Sequence, residues 1–170
     1  MKKKLFFSFI TFCTLMLGFG IINVSAATYG DFTYIISNNE AIITDCNDYA
    51  TNVIIPSEIN GYEVTSIDEG AFFDHDRLKS VVIPDSVITI GNIAFVDCSY
   101  LSKVTIGSGV KYIGDSAFGL CENLEGVHIK DVGAWAEIYF SNTGSNPIYY
   151  SRNLYINHIL HLIYKNLLIN

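Results

Sequence analysis

Asp74, His75 and Asp76 place an imidazole between two carboxylates, the ingredients of a metal site or a general base. His75, Cys98 and Cys121 are evenly spaced along the chain, so ligand types recur in a column. Zinc holds His and Cys ligands at about 2.0–2.3 Å in a tetrahedron. Groups one strand spacing apart, ~4.8 Å, are too spread for a single ion, and a fourth ligand is missing from the pattern. The same spacing admits a Cys98–Cys121 disulfide, whose Cα atoms need about 4.4–6.8 Å. The reading preferred over both is a stack of small buried side chains in which His75 takes the cysteine slot. No metal, cofactor or catalytic residue is assigned. The chain has no nucleophile elbow, paired-carboxylate site, zinc-protease helix or phosphate loop. Ser108 lies between Gly107 and Gly109 in a turn and is not read as a nucleophile.

The spacing of that column belongs to a larger pattern. Ile67, Ala71 and Phe72 are repeated as Ile90, Ala94 and Phe95, then as Ile113, Ala117 and Phe118, always at the same step. Leu78, Leu101 and Leu124 keep the step, as do Val81, Val104 and Val127, and Ile83, Ile106 and Ile129. A fixed period of this size marks a solenoid in which each coil buries its apolar face on the next. Within a coil, Val81 and Ile83 share one face of a strand while Ser80 and Val82 share the other. Pro84 ends pairing there, and residues 87–90 form a second short strand. Ala71 and Phe72 open a segment with room for a helical or 3₁₀ turn or two. Stacked coils should give parallel sheets along the solenoid.

Residues 53–56 repeat the 81–84 pattern and form a partial first coil, with extra residues in a turn near Asn60 and Gly61. Before it, residues 28–44 alternate as a β-hairpin turning at Asn38 and Asn39, placed to cap the open first coil. After Ile129 the pattern fades. Residues 136–170 read as an aromatic-rich cap or a truncated further repeat, and residues 159–169 as an edge strand or terminal helix. The chain starts with Lys2, Lys3 and Lys4, an apolar run from Leu5 to Val24, and small residues at Ser25 and Ala26. That is the pattern of a signal peptide over residues 1–26, preferred over an uncleaved anchor. Cys13 lies within the apolar run, so a lipid anchor is not inferred. Cleavage would leave seven basic and seventeen acidic residues, a formal charge of −10. Such a chain lacks the basic surface that nucleic acid requires. No membrane span is expected after cleavage.

The run Ile90, Gly91, Ala94, Phe95, Cys98, Leu101, Val104 and Ile106 resembles the BspA-like class of bacterial leucine-rich repeats. Residues 113–129 match it as well, and residues 67–83 match with His75 in place of Cys. Residues 31–64 resemble a segment that precedes such arrays. Residues 131–157, with Ala134-Trp135 and the Asn146-Pro147 stretch, resemble an insert found in some of them. There Asn157 would usually precede Gly in a hairpin, whereas here His158 follows. The resemblance implies an α/β, mostly β fold: a short right-handed leucine-rich-repeat solenoid of 23-residue coils over residues 67–135, preceded by a cap and partial coil over residues 27–66.

Resemblance further implies a secreted or cell-surface protein that acts by binding a protein or glycan ligand, with adhesion as the family role. Alternation selects the face free to do so: Asn52, Ile54, Ser80, Val82, Lys103, Thr105, Gly126, His128 and Lys130. The aromatic tail (Trp135, Tyr139, Phe140, Tyr149, Tyr150, Tyr155) is a second candidate, for sugars, although an end cap explains it more simply. The alternative function is a spacer or a fragment of a longer array. A glycan hydrolase in the tail ranks last, because only isolated Asp131 and Glu137 could serve as acid and base there.

Overall fold

A computed structural model describes residues 25–157 and 159–162. The signal-peptide reading falls almost wholly outside them. The strands are β1 (Ala27–Tyr29), β2 (Phe32–Ser37), β3 (Glu40–Cys46), β4 (Asn52–Ile54), β5 (Glu58–Ile59), β6 (Tyr62–Ile67) and β7 (Ser80–Val82). They continue as β8 (Thr89–Ile90), β9 (Lys103–Ile106), β10 (Tyr112–Ile113), β11 (Gly126–Ile129), β12 (Tyr139–Phe140), β13 (Asn153–Ile156) and β14 (Ile159–Leu162). Two short helices interrupt them late in the chain, α1 (Val132–Ala136) and α2 (Ile148–Ser151).

Each coil contributes one strand to each of two sheets, and the coil strands pair in parallel. One sheet runs β1-β2-β3-β6-β8-β10-β12, with β5 beside β6; the other runs β4-β7-β9-β11-β13-β14. Val53, Val81, Val104, Val127 and Leu154 lie in register along the second sheet and point inward. Ile67, Ile90, Ile113 and Phe140 do the same on the first. Between the sheets runs a column of stacked rings: Phe72 on Phe95 at 4.7 Å and Phe95 on Phe118 at 5.1 Å, all fully buried.

The segment holding these rings is not a helix. It is a string of tight turns in which alternate N–H groups bond in different directions. Ala71, Phe73 and His75 donate three residues back within the coil, while Gly70, Phe72 and Asp74 donate to Asn92, Ala94 and Val96 of the next coil. Ile93, Phe95 and Asp97 likewise donate to Asp115, Ala117 and Gly119. A helix would consume all these donors internally; using half of them between coils makes a third backbone ladder. The geometry requires a left-handed residue every fourth position, met by Gly70 and Asp74, by Ile93 and Asp97, and by Ser116 and Leu120.

Both ends differ from simple expectation. The amino-terminal hairpin forms, with Asn38 and Asn39 at positive φ, and β1 adds a third antiparallel strand. It extends the first sheet by pairing β3 in parallel with β6. At the other end, residues 131–156 make a further coil. β12 joins β10 and β13 joins β11, and the step from Tyr112 to Tyr139, or from Val127 to Leu154, is longer by four than in the regular coils. The added residues fall where α1 replaces the usual turn. A hairpin follows at Asn157 (φ 49) despite the absent glycine, and β14 pairs antiparallel with β13. Residues 159–162 are thus a strand, and residues 163–169 lie outside the described residues.

Candidate functional site

The second sheet presents its outer face as two straight rows. Asn52, Ser80, Lys103 and Gly126 are register partners in one row. Ile54, Val82, Thr105, His128 and Tyr155 are partners in the other. Parallel pairing without bulges in these strands spaces successive members of each row by one strand, about 4.8 Å. Ile54 is 73% exposed at the edge, and Lys103 is exposed; Ser80, Val82, Thr105 and His128 are half-buried by their neighbours. Ser80 Oγ donates to Asn52 Oδ1 at 2.8 Å, which fixes both side chains at the start of the first row.

Lys130 is not part of these rows. It lies one residue beyond β11, and its Nζ reaches Asp85 Oδ2 at 3.2 Å, two coils away. The Asp85 carboxyl is held below the usual carboxylate range, first by the Ser108 backbone N–H and then by this ammonium. The repeat pattern does not assign Tyr155 to this face, yet it completes the second row. Its ring stacks on His128 with centroids 4.5 Å apart. It also lies over Gly126, where a Cβ would come within 2.6 Å of Tyr155 Cε2. Gly126 is therefore covered, and the row ends on an aromatic plate. The signal lies in the alternation of residues 153–156, obscured by the lengthened step.

The six tail aromatics do not form one surface. Trp135 packs against Phe140, Tyr139 stacks on Tyr112 outside the first sheet, and Tyr149 meets Tyr150 edge-on. The His75, Cys98 and Cys121 column is buried, and its groups are occupied within the fold. Cys98 Sγ donates to Phe72 O and Cys121 Sγ to Phe95 O, each at 3.1 Å. His75 Nε2 lies 2.9 Å from Cys46 O. Cys46, Cys98 and Cys121 are free thiols. Burial raises the pKa of each, that of Cys46 and Cys121 to about 12. Among the described residues no group of three His, Cys, Asp or Glu side chains could hold a metal ion, and no helix is long and apolar enough to cross a membrane.

This architecture is that of a leucine-rich-repeat solenoid. The family described as "BspA type Leucine rich repeat region" matches residues 40–160 in six copies, and the chain belongs to it. A T. pallidum leucine-rich-repeat protein superposes with a TM-score of 0.57 at 28% identity, covering 64% of this chain and 56% of that one. A Bacteroides capillosus leucine-rich-repeat protein gives 0.56 at 30%, covering 67% and 94%. A leucine-rich cell surface protein of Faecalibacterium prausnitzii gives 0.52 at 29%, covering 63% and 37%. The chain thus spans little more than half of the T. pallidum protein. No curated protein matches it.

Proposed function

We propose that the protein is secreted or held at the cell surface and binds a protein or glycan partner, as an adhesin or recognition module, through the outer face of the second sheet. The observation that supports this most is the row Ile54, Val82, Thr105, His128 and Tyr155, continuous over five coils and ending in a stacked imidazole and phenol. An extended surface of apolar and hydroxyl groups beside a flat aromatic suits a side chain or a sugar ring. The cell-surface designation of the F. prausnitzii neighbour agrees with this location. The amino-terminal pattern of residues 1–26 supports secretion.

The test is a panel of immobilised glycans and extracellular proteins probed with the mature chain. Tyr155→Ala and Lys103→Glu, each folded by circular dichroism, should weaken any captured interaction with a protein or an uncharged glycan about tenfold or more, roughly 1.4 kcal/mol per factor of ten. Binding that survives both substitutions would remove the sheet face from the account. A silent panel would favour the spacer reading.

A further inference from the structure

We infer that the protein has a second binding site, for a carboxylated sugar residue, in the open groove of about 320 Å³ lined by Thr51, Asp76, Arg77, Lys79 and Tyr100. The groove lies at the corner where the turn ladder enters the second sheet, to one side of the two rows described above. Its floor is fixed by backbone bonds between coils. The N–H groups of Lys79 and Ser80 donate to Thr51 O, and those of Ser102 and Lys103 to Lys79 O. Arg77 and Tyr100 hold equivalent positions on successive coils, one repeat step apart.

Three features define the ligand. The first is charge. The chain carries −7 overall, yet Arg77 and Lys79 both line this groove. Among the described residues the ion-paired lysines are Lys111, with Glu137, and Lys130, with Asp85; Lys79 is not in such a pair. An anion entering the groove would therefore meet the Lys79 ammonium outside those pairs and the Arg77 guanidinium. The second is preorganisation. The Arg77 guanidinium lies 4.9 Å above the Tyr49 ring, and Tyr49 is itself set in a turn by its N–H bond to Asn47 Oδ1. A guanidinium already stacked on a ring loses less freedom when it binds a carboxylate as a fork.

The third feature is the mixture of ring faces with an acceptor. Tyr100 is 62% exposed and Tyr49 71%. Tyrosine offers a flat apolar face to sugar C–H groups and a hydroxyl at its tip. Asp76 on the same wall can accept from sugar hydroxyls, a role an all-basic groove for a phosphate or sulfate lacks. The volume is at the lower end for a small-ligand site, enough for a sugar residue but not a folded segment. Together these favour a pyranose with a carboxylate, a uronic acid or similar sugar acid, over an acidic peptide.

The experiment is calorimetric titration of the mature protein with an oligogalacturonate, its fully methyl-esterified form, and an oligoglutamate of equal charge. The uronate should bind saturably, with the ester and the oligoglutamate at least tenfold weaker. Arg77→Ala and Tyr100→Ala should each weaken uronate binding fivefold or more without shifting thermal unfolding, since both side chains are exposed. Thr89→Arg, on the outer face of the first sheet, should leave it unchanged. The site is overturned if the uronate does not bind, if the ester or peptide binds as tightly, if the two groove variants behave as wild type, or if Thr89→Arg abolishes binding. Failure here leaves the sheet-face reading standing, because Tyr155→Ala tests that face at a residue remote from the groove lining.

Discussion

Each coil has two unequal halves. From the first sheet to the second the chain passes through the ring-stacking turns, and from Ile67 onward this half keeps its length. Ile67 to Val81, Ile90 to Val104, Ile113 to Val127 and Phe140 to Leu154 are each fourteen residues apart. Only the passage out of the cap, from Ile43 to Val53, is shorter, and it carries no stacked ring. The return half takes nine residues from Val81 to Ile90 and from Val104 to Ile113, but fourteen from Val53 to Ile67 and thirteen from Val127 to Phe140. The longer returns contain the β5–β6 hairpin and α1 respectively. The constant half carries a backbone ladder, a column of rings and thiols bonded to carbonyls of the preceding coil, so an added residue would misplace all three. The return half can form its own small structure at the surface, where a longer loop costs little.

Insertions test this contrast most severely. One glycine added after Asp97 should abolish the cooperative thermal transition, because Phe95, Asp97 and Cys98 could not all keep their partners. Four Gly/Ser residues added after Ser108 should cost only about 1 kcal/mol, measured by urea unfolding. Equal damage from both would erase the distinction between the halves. A smaller perturbation of the constant half is Phe95→Ala, which removes the middle ring of the column. It should destabilise the protein by about 3–5 kcal/mol.

The thiols of the constant half give a pH signature. Burial first of all pushes Cys121 up to about 12 and Cys98 further, so the folded chain holds protons that the unfolded chain releases above about 8.5. Stability from these groups should be complete below pH ~8.5 and fall as pH rises towards 12. Denaturant midpoints across that range, compared between wild type and Cys98→Ala/Cys121→Ala, would show the alkaline loss shrinking in the double variant. The least effect concerns one backbone slot. Gly70 (φ 66) and Ile93 (φ 48) occupy the same left-handed position. Gly70→Ala should cost about 1 kcal/mol and Ile93→Gly should gain up to about as much, less the partial burial of isoleucine that is lost.

The core could be read from the sequence because apolar residues at a fixed step can stack only one way. The two-faced strands were equally legible, since alternation at Ser80, Val81 and Val82 leaves one choice. The turns were not. Isoleucine at position 93 and leucine at 120 give no hint of left-handed backbone, and that conformation is imposed by the hydrogen bonds of the neighbouring coil. The last coil was legible only as one of two alternatives, because Ser145 replaces an apolar residue in the core. It can do so because its hydroxyl donates to Gly114 O at 2.7 Å. Of the candidate face, the two rows were legible as far as His128. Tyr155 required the longer step, and the departure of Lys130 towards Asp85 depends on a turn two coils away.

The proposal that one sheet presents while the other does not is tested most directly by a matched pair of substitutions. Thr105 sits mid-row on the outer face of the second sheet, and Thr89 sits between Ser66 and Tyr112 on the outer face of the first. Thr105→Arg and Thr89→Arg place the same bulk and charge on opposite sides of one solenoid. Measured against the first glycan or extracellular protein whose capture Tyr155→Ala weakens, Thr105→Arg should abolish binding and Thr89→Arg should leave the affinity within about twofold. Equal loss from both, or loss from Thr89→Arg alone, would contradict the assignment of the binding face.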